Sequence, residues 1–124
     1  MFARADCVFC AIEAGDAPAK IVARWLDAIA FTPLNPVTPG HTLVIPRVHV
    51  PDAVTDPAVT AATMHRAAGF AHEAFDHCNL ITSVGEPATQ TVFHLHIHVV
   101  PRTAGDGLLL PWTPQHAARY LTQD

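Results

Sequence analysis

The stretch His94-Leu95-His96-Ile97-His98-Val99-Val100 decides how the rest of this chain is read. Taken with period two, it puts three imidazoles on one side and Leu95, Ile97 and Val99 on the other, the alternation of a strand with one face in a core. Same-face side chains repeat roughly every 6.5–7 Å along a strand, so one small anion can touch two or three of these rings. Imidazole titrates near neutral pH, is a nucleophile, and offers two nitrogens to a proton, a metal or phosphorus. Three such rings in strict alternation point to chemistry rather than to core packing.

Working outward, Val92 to Val100 reads as the central strand, stopped by Pro101, and Asn79 to Val84 as its neighbour across a Gly85–Thr89 loop. Upstream, His41 to Pro46 is a buried strand ended by proline, with the turn-rich run Leu34 to Gly40 before it. Lys20–Trp25 and Ala28–Thr32 form a hairpin. A short helix begins near Cys7 and ends at Gly15, a left-handed stop. From Pro57 to Cys78 the period becomes helical, with Met64, Ala67, Ala68, Ala71, Ala74, Phe75 and Cys78 on one face. Asp56 caps that helix and Pro57 fills its first position. Past Gly105-Asp106-Gly107 the apolar tail Leu108–Trp112 needs cover, and a short helix near His116–Thr122 closes the chain. These elements predict an α+β fold: about five mainly antiparallel strands, one long helix and short terminal helices.

At 124 residues the whole chain, 1–124, is one domain by size. Half of it is hydrophobic and 15% charged, a composition that folds compactly rather than staying disordered. The net charge of −4 argues against tracking a nucleic-acid backbone, which needs a positive field. No run reaches the roughly 18–20 apolar residues of a membrane span. The first six residues lack an apolar signal core, and three cysteines fit a reducing compartment better than a disulfide scaffold. The expected location is the cytoplasm.

Several motifs together resemble one family. His94-x-His96-x-His98-Val99-Val100 is similar to the signature of the histidine-triad (HIT) family of nucleotide hydrolases and transferases. Pro39-Gly40-His41-Thr42-Leu43-Val44-Ile45-Pro46, with Arg47 and His49 beyond, resembles its PGHxLVIPxxH strand. Gln90-Thr91-Val92-Phe93 resembles its approach to the triad, with Thr89 where the family usually has glycine. Cys7-x-x-Cys10, with Ile12 and Ala17–Val22, is similar to the amino-terminal part of bacterial members. The resemblance covers most of residues 6 to 106.

The resemblance implies that His96 attacks phosphorus in a purine-nucleoside phosphate conjugate to give a nucleotidyl-histidine, which is then hydrolysed or passed to an acceptor. It implies that His98 donates to a phosphate oxygen and that His41 stands behind the triad. Gln90 and Thr91 carry over as polar contacts to substrate. Pro33 stands where the family commonly has an Asp or Asn for the ribose hydroxyls, and Ser83 where many members have Asn. Asn35 and Ser83 are therefore the remaining candidates for nucleoside contact. The resemblance also implies a homodimer.

Cys7, Cys10, His49 and His94 form a second constellation. Their spacing is not that of a zinc finger, and two small buried hydrophobes or a redox pair are alternative readings of the CxxC. Some bacterial members and related uridylyltransferases bind zinc with this set, which implies a closed, structural zinc here. His65, His72, His77 and His116 read as solvated helix residues, Cys78 as packed on the sheet, and Trp112 as core or interface packing. Two rival functions remain open from sequence: a nucleotide-binding protein with little turnover, and a metallohydrolase whose triad histidines ligate a catalytic metal.

Overall fold

The computed structural model describes residues 4–113. Element order is α1 (Val8–Ala14), β1 (Lys20–Arg24), β2 (Ala28–Thr32), β3 (Thr42–Pro46), α2 (Pro57–Ala74), β4 (Cys78–Ile81), a 3₁₀ turn (Glu86–Ala88) and β5 (Ile97–Pro101). The five strands form one sheet in the order β1-β2-β3-β5-β4, and every neighbouring pair is antiparallel. The α+β expectation holds in number of strands, direction and helix content. The closing helix expected near His116–Thr122 lies outside the described residues.

The centre of the sheet is β3, not the triad strand. All five β3 residues are buried because its two faces meet different layers. Val44 joins Ala28, Ala30, Ile97 and Val99 beneath α2, while Leu43 and Ile45 join Ile29 and Phe31 beneath Phe9 and Ile12 of α1. A strand covered on both sides needs apolar residues at successive positions rather than at alternate ones, which is what Leu43–Pro46 supplies, while the buried Thr42 hydroxyl donates to the Gly40 carbonyl at 2.9 Å. Registers place Leu43 opposite His98 and Val44 opposite Ile97, so the histidine face of β5 continues across the sheet into the α1 layer.

Three boundaries differ from the sequence expectation by more than one residue. Ladder pairing of β5 begins at Ile97, because the backbone before it is diverted: Leu95 N–H donates to the Val50 carbonyl at 2.7 Å, away from the sheet. The strand before it, β4, ends at Ile81, three residues short of the expected Val84, where the hydroxyl of Thr82 turns to the His96 carbonyl at 2.8 Å. Helix α2 stops at Ala74, with extended Phe75 as its cap, so Cys78 opens β4 instead of extending the helical face. The buried stripe of α2 is Thr63, Ala67 and Ala71, while Ala68 and Ala74 face outward. Asp56 does cap α2, its carboxylate accepting from Ala58 and Val59 N–H.

Two left-handed glycines give a measurable contrast. Gly40 has φ +89, and an added Cβ would lie 3.1 Å from Pro101 Cγ and 3.2 Å from Phe75 Cε1. Gly15, at φ +83, would meet nothing within 4 Å. Gly15→Ala should therefore cost only the left-handed backbone term, about 1–2 kcal/mol, and Gly40→Ala more, because overpacking adds about 1–3 kcal/mol. Urea unfolding of the two variants checks the order; equal losses would remove the claimed close packing around Gly40.

Candidate active site

The alternation survives in His94–His96 although the ladder does not, because each imidazole is tied to backbone. His94, fully buried, donates from Nε2 to the Pro46 carbonyl at the end of β3, 2.9 Å away. His96 donates from Nδ1 to the carbonyl of His94 at 2.8 Å. A neutral imidazole with Nδ1 protonated carries its lone pair on Nε2, so this bond leaves the outer nitrogen of His96 nucleophilic. Phe9 of α1 meets the His94 and His96 rings edge-on, with centroids 6.0 and 5.2 Å apart, and holds both in place.

His98 is fixed from the opposite side. The Val37 N–H donates to His41 Nδ1 at 3.1 Å, so a neutral His41 carries its proton on Nε2. That nitrogen lies 3.0 Å from His98 Nδ1, which must accept, and the remaining His98 proton sits on Nε2. One backbone amide in the turn before β3 thus sets two tautomers. The His96 and His98 rings are 5.2 Å apart, closer than ideal strand spacing, and present a lone pair and an N–H side by side.

Burial keeps these rings uncharged. It lowers the pKa of His96 against the opposing hydrogen bond to His94, and it lowers His41. His98 is pushed down to about 4, by burial first and then by the neighbouring His96 and His41. An imidazole that stays neutral at pH 7 keeps the lone pair that a nucleophile requires.

Cys7, Cys10, His49 and His94 converge beside the triad, their donor atoms all within 4.8 Å of one another. Cys7 Sγ and Cys10 Sγ each lie 3.5 Å from His94 Nδ1, and Cys10 Sγ lies 3.3 Å from His49 Nδ1. Zinc–sulfur and zinc–nitrogen bonds give tetrahedron edges of roughly 3.3–3.8 Å, so these separations fit that ion. The bond from His94 Nε2 to Pro46 leaves Nδ1 as the ligating atom, the outer-shell arrangement that metal-bound histidines use. Cys7 also caps α1, its sulfur accepting from Cys10 N–H at 3.3 Å, so cap and ligand are one residue.

The other candidates scatter. His41, His98 and Ser83 line one cavity of about 270 Å³. Gln90 is 2% exposed, and its amide is spent on backbone: Oε1 accepts from Gly85 N–H at 2.8 Å, and Nε2 donates to the Pro51 and Val92 carbonyls at 2.7 and 3.0 Å. It shapes the loop instead of facing the cavity. Thr91 lines a different hollow, with Arg4, Cys7 and His49. Asn35 is exposed in its turn and is not part of the His98 cavity. The tail after β5 supplies an unforeseen wall. Arg102 holds Asp106 through Nε at 2.8 Å and Nη2 at 3.0 Å, Asn79 Oδ1 at 2.7 Å and the Leu108 carbonyl at 2.7 Å, bringing Leu108 over the cavity. Trp112, at 73% exposure, is not core within one chain.

The HIT domain family matches residues 14–105, three-quarters of the chain. The chain belongs to the HIT family. Among solved structures of HIT proteins, a zinc-bound histidine triad protein from Mycobacterium smegmatis is 36% identical, covering 96% of this chain and 98% of that one, with a TM-score of 0.75. An adenylylsulfatase from Arabidopsis thaliana is 32% identical over 93% of this chain and 60% of that protein. An adenosine 5′-monophosphoramidase from Saccharomyces cerevisiae is 30% identical over 90% and 72%.

A zinc ion held by the Cys2His2 set should co-purify at about one equivalent. Cys7→Ser should lower metal content and, with zinc at a hundredfold excess over its Kd, forfeit about 2.7 kcal/mol of stability. Metal analysis together with thermal unfolding checks this, and unchanged metal content in Cys7→Ser would eliminate the ligand set.

Proposed function

We propose that this HIT protein is a hydrolase of adenylyl conjugates, working through a covalent adenylyl-His96. The observation that supports this reading most is the 2.8 Å bond from His96 Nδ1 to the His94 carbonyl, which leaves Nε2 unprotonated on a ring 5.2 Å from that of His98. His96 Nε2 forms the bond to phosphorus, the bond from phosphorus to the leaving group breaks, and its electron pair goes to that group. An anionic phosphate beside His98 favours the imidazolium; its extra proton, taken up with the substrate, sits on Nδ1 in place of the hydrogen bond from His41, and His98 then delivers its Nε2 proton to the leaving atom. In the second step water attacks phosphorus, the pair returns to His96 Nε2, and the proton of water passes to His98. As charge develops, the positioned N–H stabilises a phosphate oxygen without reorganisation.

Zinc on Cys7, Cys10, His49 and His94 is assigned a structural role in this reading. Held by these four residues, a zinc ion would have no open position and would fix His94, whose carbonyl orients His96. Catalysis by a metal on the three triad histidines is not favoured: His96 Nδ1 and His98 Nδ1 are committed to His94 and His41. The same reading includes a homodimer in the cytoplasm, supported by an outward Leu109 and Trp112 and by the outward alanines of α2. No helix among the described residues is long and apolar enough to cross a membrane. A second reading, a nucleotide-binding protein with little turnover, draws its support from Pro33, which offers no side-chain partner to ribose.

Single-turnover incubation with adenosine phosphoramidate, followed by intact-protein mass spectrometry, separates the two. An adenylyl-sized adduct in the parent, absent in His96→Ala, is the expected result, with turnover lowered at least about 10³-fold in the variant. A parent that binds the nucleotide and yields neither adduct nor product would replace catalysis with binding.

A further inference from the structure

The connection between β4 and β5 contains the one residue other than glycine that has positive φ among the described residues. Thr89 takes φ 74 and ψ 19. A β-branched side chain in the left-handed region is a true outlier, and such outliers persist where surrounding structure enforces them. Here the enforcement comes from neighbours. The Thr89 N–H closes the 3₁₀ turn on the Glu86 carbonyl at 2.8 Å, and Gln90 N–H reaches Gly85 at 3.0 Å. The buried Gln90 amide then locks Gly85, Pro51 and Val92 together. None of these bonds uses the Thr89 side chain, and glycine would adopt this backbone without strain.

The side chain therefore has its use elsewhere. Its hydroxyl has no protein hydrogen-bond partner among the described residues, and Thr89 lines the cavity of about 270 Å³ together with His41, His98 and Ser83. In the proposed reaction the atom that must receive a proton is the leaving atom, and His98 is the donor in this cavity. The expelled group consequently lies on the side where His98 and Thr89 meet. The rest of the cavity lining is mostly apolar, with Ile81, Val100 and Leu108, and its other polar side chains include Ser83 and Asn79, the latter held by Arg102. Its one cation, Arg102, is already occupied by Asp106, Asn79 and the Leu108 carbonyl. Beyond His98 itself, no free positive charge is on offer there for a polyphosphate chain.

We propose that Thr89 is a specificity-determining residue, its side chain narrowing the leaving-group side of the cavity so that small uncharged amines are accepted and bulky ones are turned away. This rests on the catalytic reading above.

The test compares unsubstituted adenosine phosphoramidate with the same nucleotide carrying a bulky aromatic amine, in the parent, Thr89→Gly and Thr89→Val. In Thr89→Gly the ratio of kcat/KM values should move toward the bulky substrate by about tenfold or more, the scale on which a small group in a pocket discriminates. In Thr89→Val, which keeps the shape and loses the hydroxyl, the ratio should stay with the parent. A purely structural role would raise the melting temperature of Thr89→Gly through relief of strain and leave the ratio unchanged; that result overturns the proposal. So does a Val variant that behaves like Gly. Binding of both compounds to His96→Ala and to His96→Ala/Thr89→Gly reads the same filter without turnover. A parent that forms no adduct, with the binding ratio still shifted about tenfold, would sink the catalytic reading and keep the filter.

Discussion

Everything in the site depends on how His94 is held. Its ring is fully buried, its Nε2–H ends on the Pro46 carbonyl, its Nδ1 faces two cysteine sulfurs, and its own carbonyl receives the Nδ1–H of His96. A buried imidazole without partners would carry a penalty of about 1–3 kcal/mol for each unsatisfied polar group. Here every polar atom of the residue near the site has a use, and no buried side-chain nitrogen or oxygen among the described residues is left without a partner. Because Pro46 ends the central strand, the sheet, the Cys–His cluster and the candidate nucleophile are set against a single rigid reference.

The division of labour between the two faces of the sheet follows from this. Ile97 and Val99 point to α2 and stabilise the fold, while His96 and His98 point the other way and carry the proposed chemistry. The α2 interface is built from small residues, Ala28, Ala30, Ala67 and Ala71, so helix and sheet approach closely and the strand has little freedom to roll. On the chemical face, Phe9 contributes packing and ring orientation at once, touching Phe31 as well as His94 and His96. Helix α1 is short, and its attachment depends on Cys7 and Cys10 at its start and on the Glu13–Arg47 pair at 2.9 Å.

Much of this was legible in the residues, and the parts that were not share a physical cause. Alternation in His94–Val100, the Asp56-Pro57 start, the Gly15 stop and the proline-bounded strand at Thr42–Pro46 report local backbone preferences, so they survive in the fold. The centrality of β3 was readable from its unbroken apolar run, Leu43 to Pro46. Side-chain destinations were harder. Gln90 and Thr91 are adjacent to the triad in sequence, but one is consumed by three backbone groups and the other faces a different hollow. The role of the Val37 amide has no sequence signal, since any residue other than proline supplies an N–H. Thr89 was visible as a departure at a glycine-type position, but only its backbone angle shows that the departure is strained.

The central claim is that fixed tautomers, set by backbone groups, put a lone pair on His96 Nε2 beside a proton on His98 Nε2. The most direct measurement is the ring ¹⁵N NMR spectrum of the protein at neutral pH, with His96 and His98 assigned through their alanine variants. The account predicts opposite neutral tautomers, protonated at Nδ1 in His96 and at Nε2 in His98, with His98 changing when His41→Ala removes its partner. A His96 ring protonated at Nε2, or doubly protonated at neutral pH, would contradict it, because no nucleophilic nitrogen would then face the site.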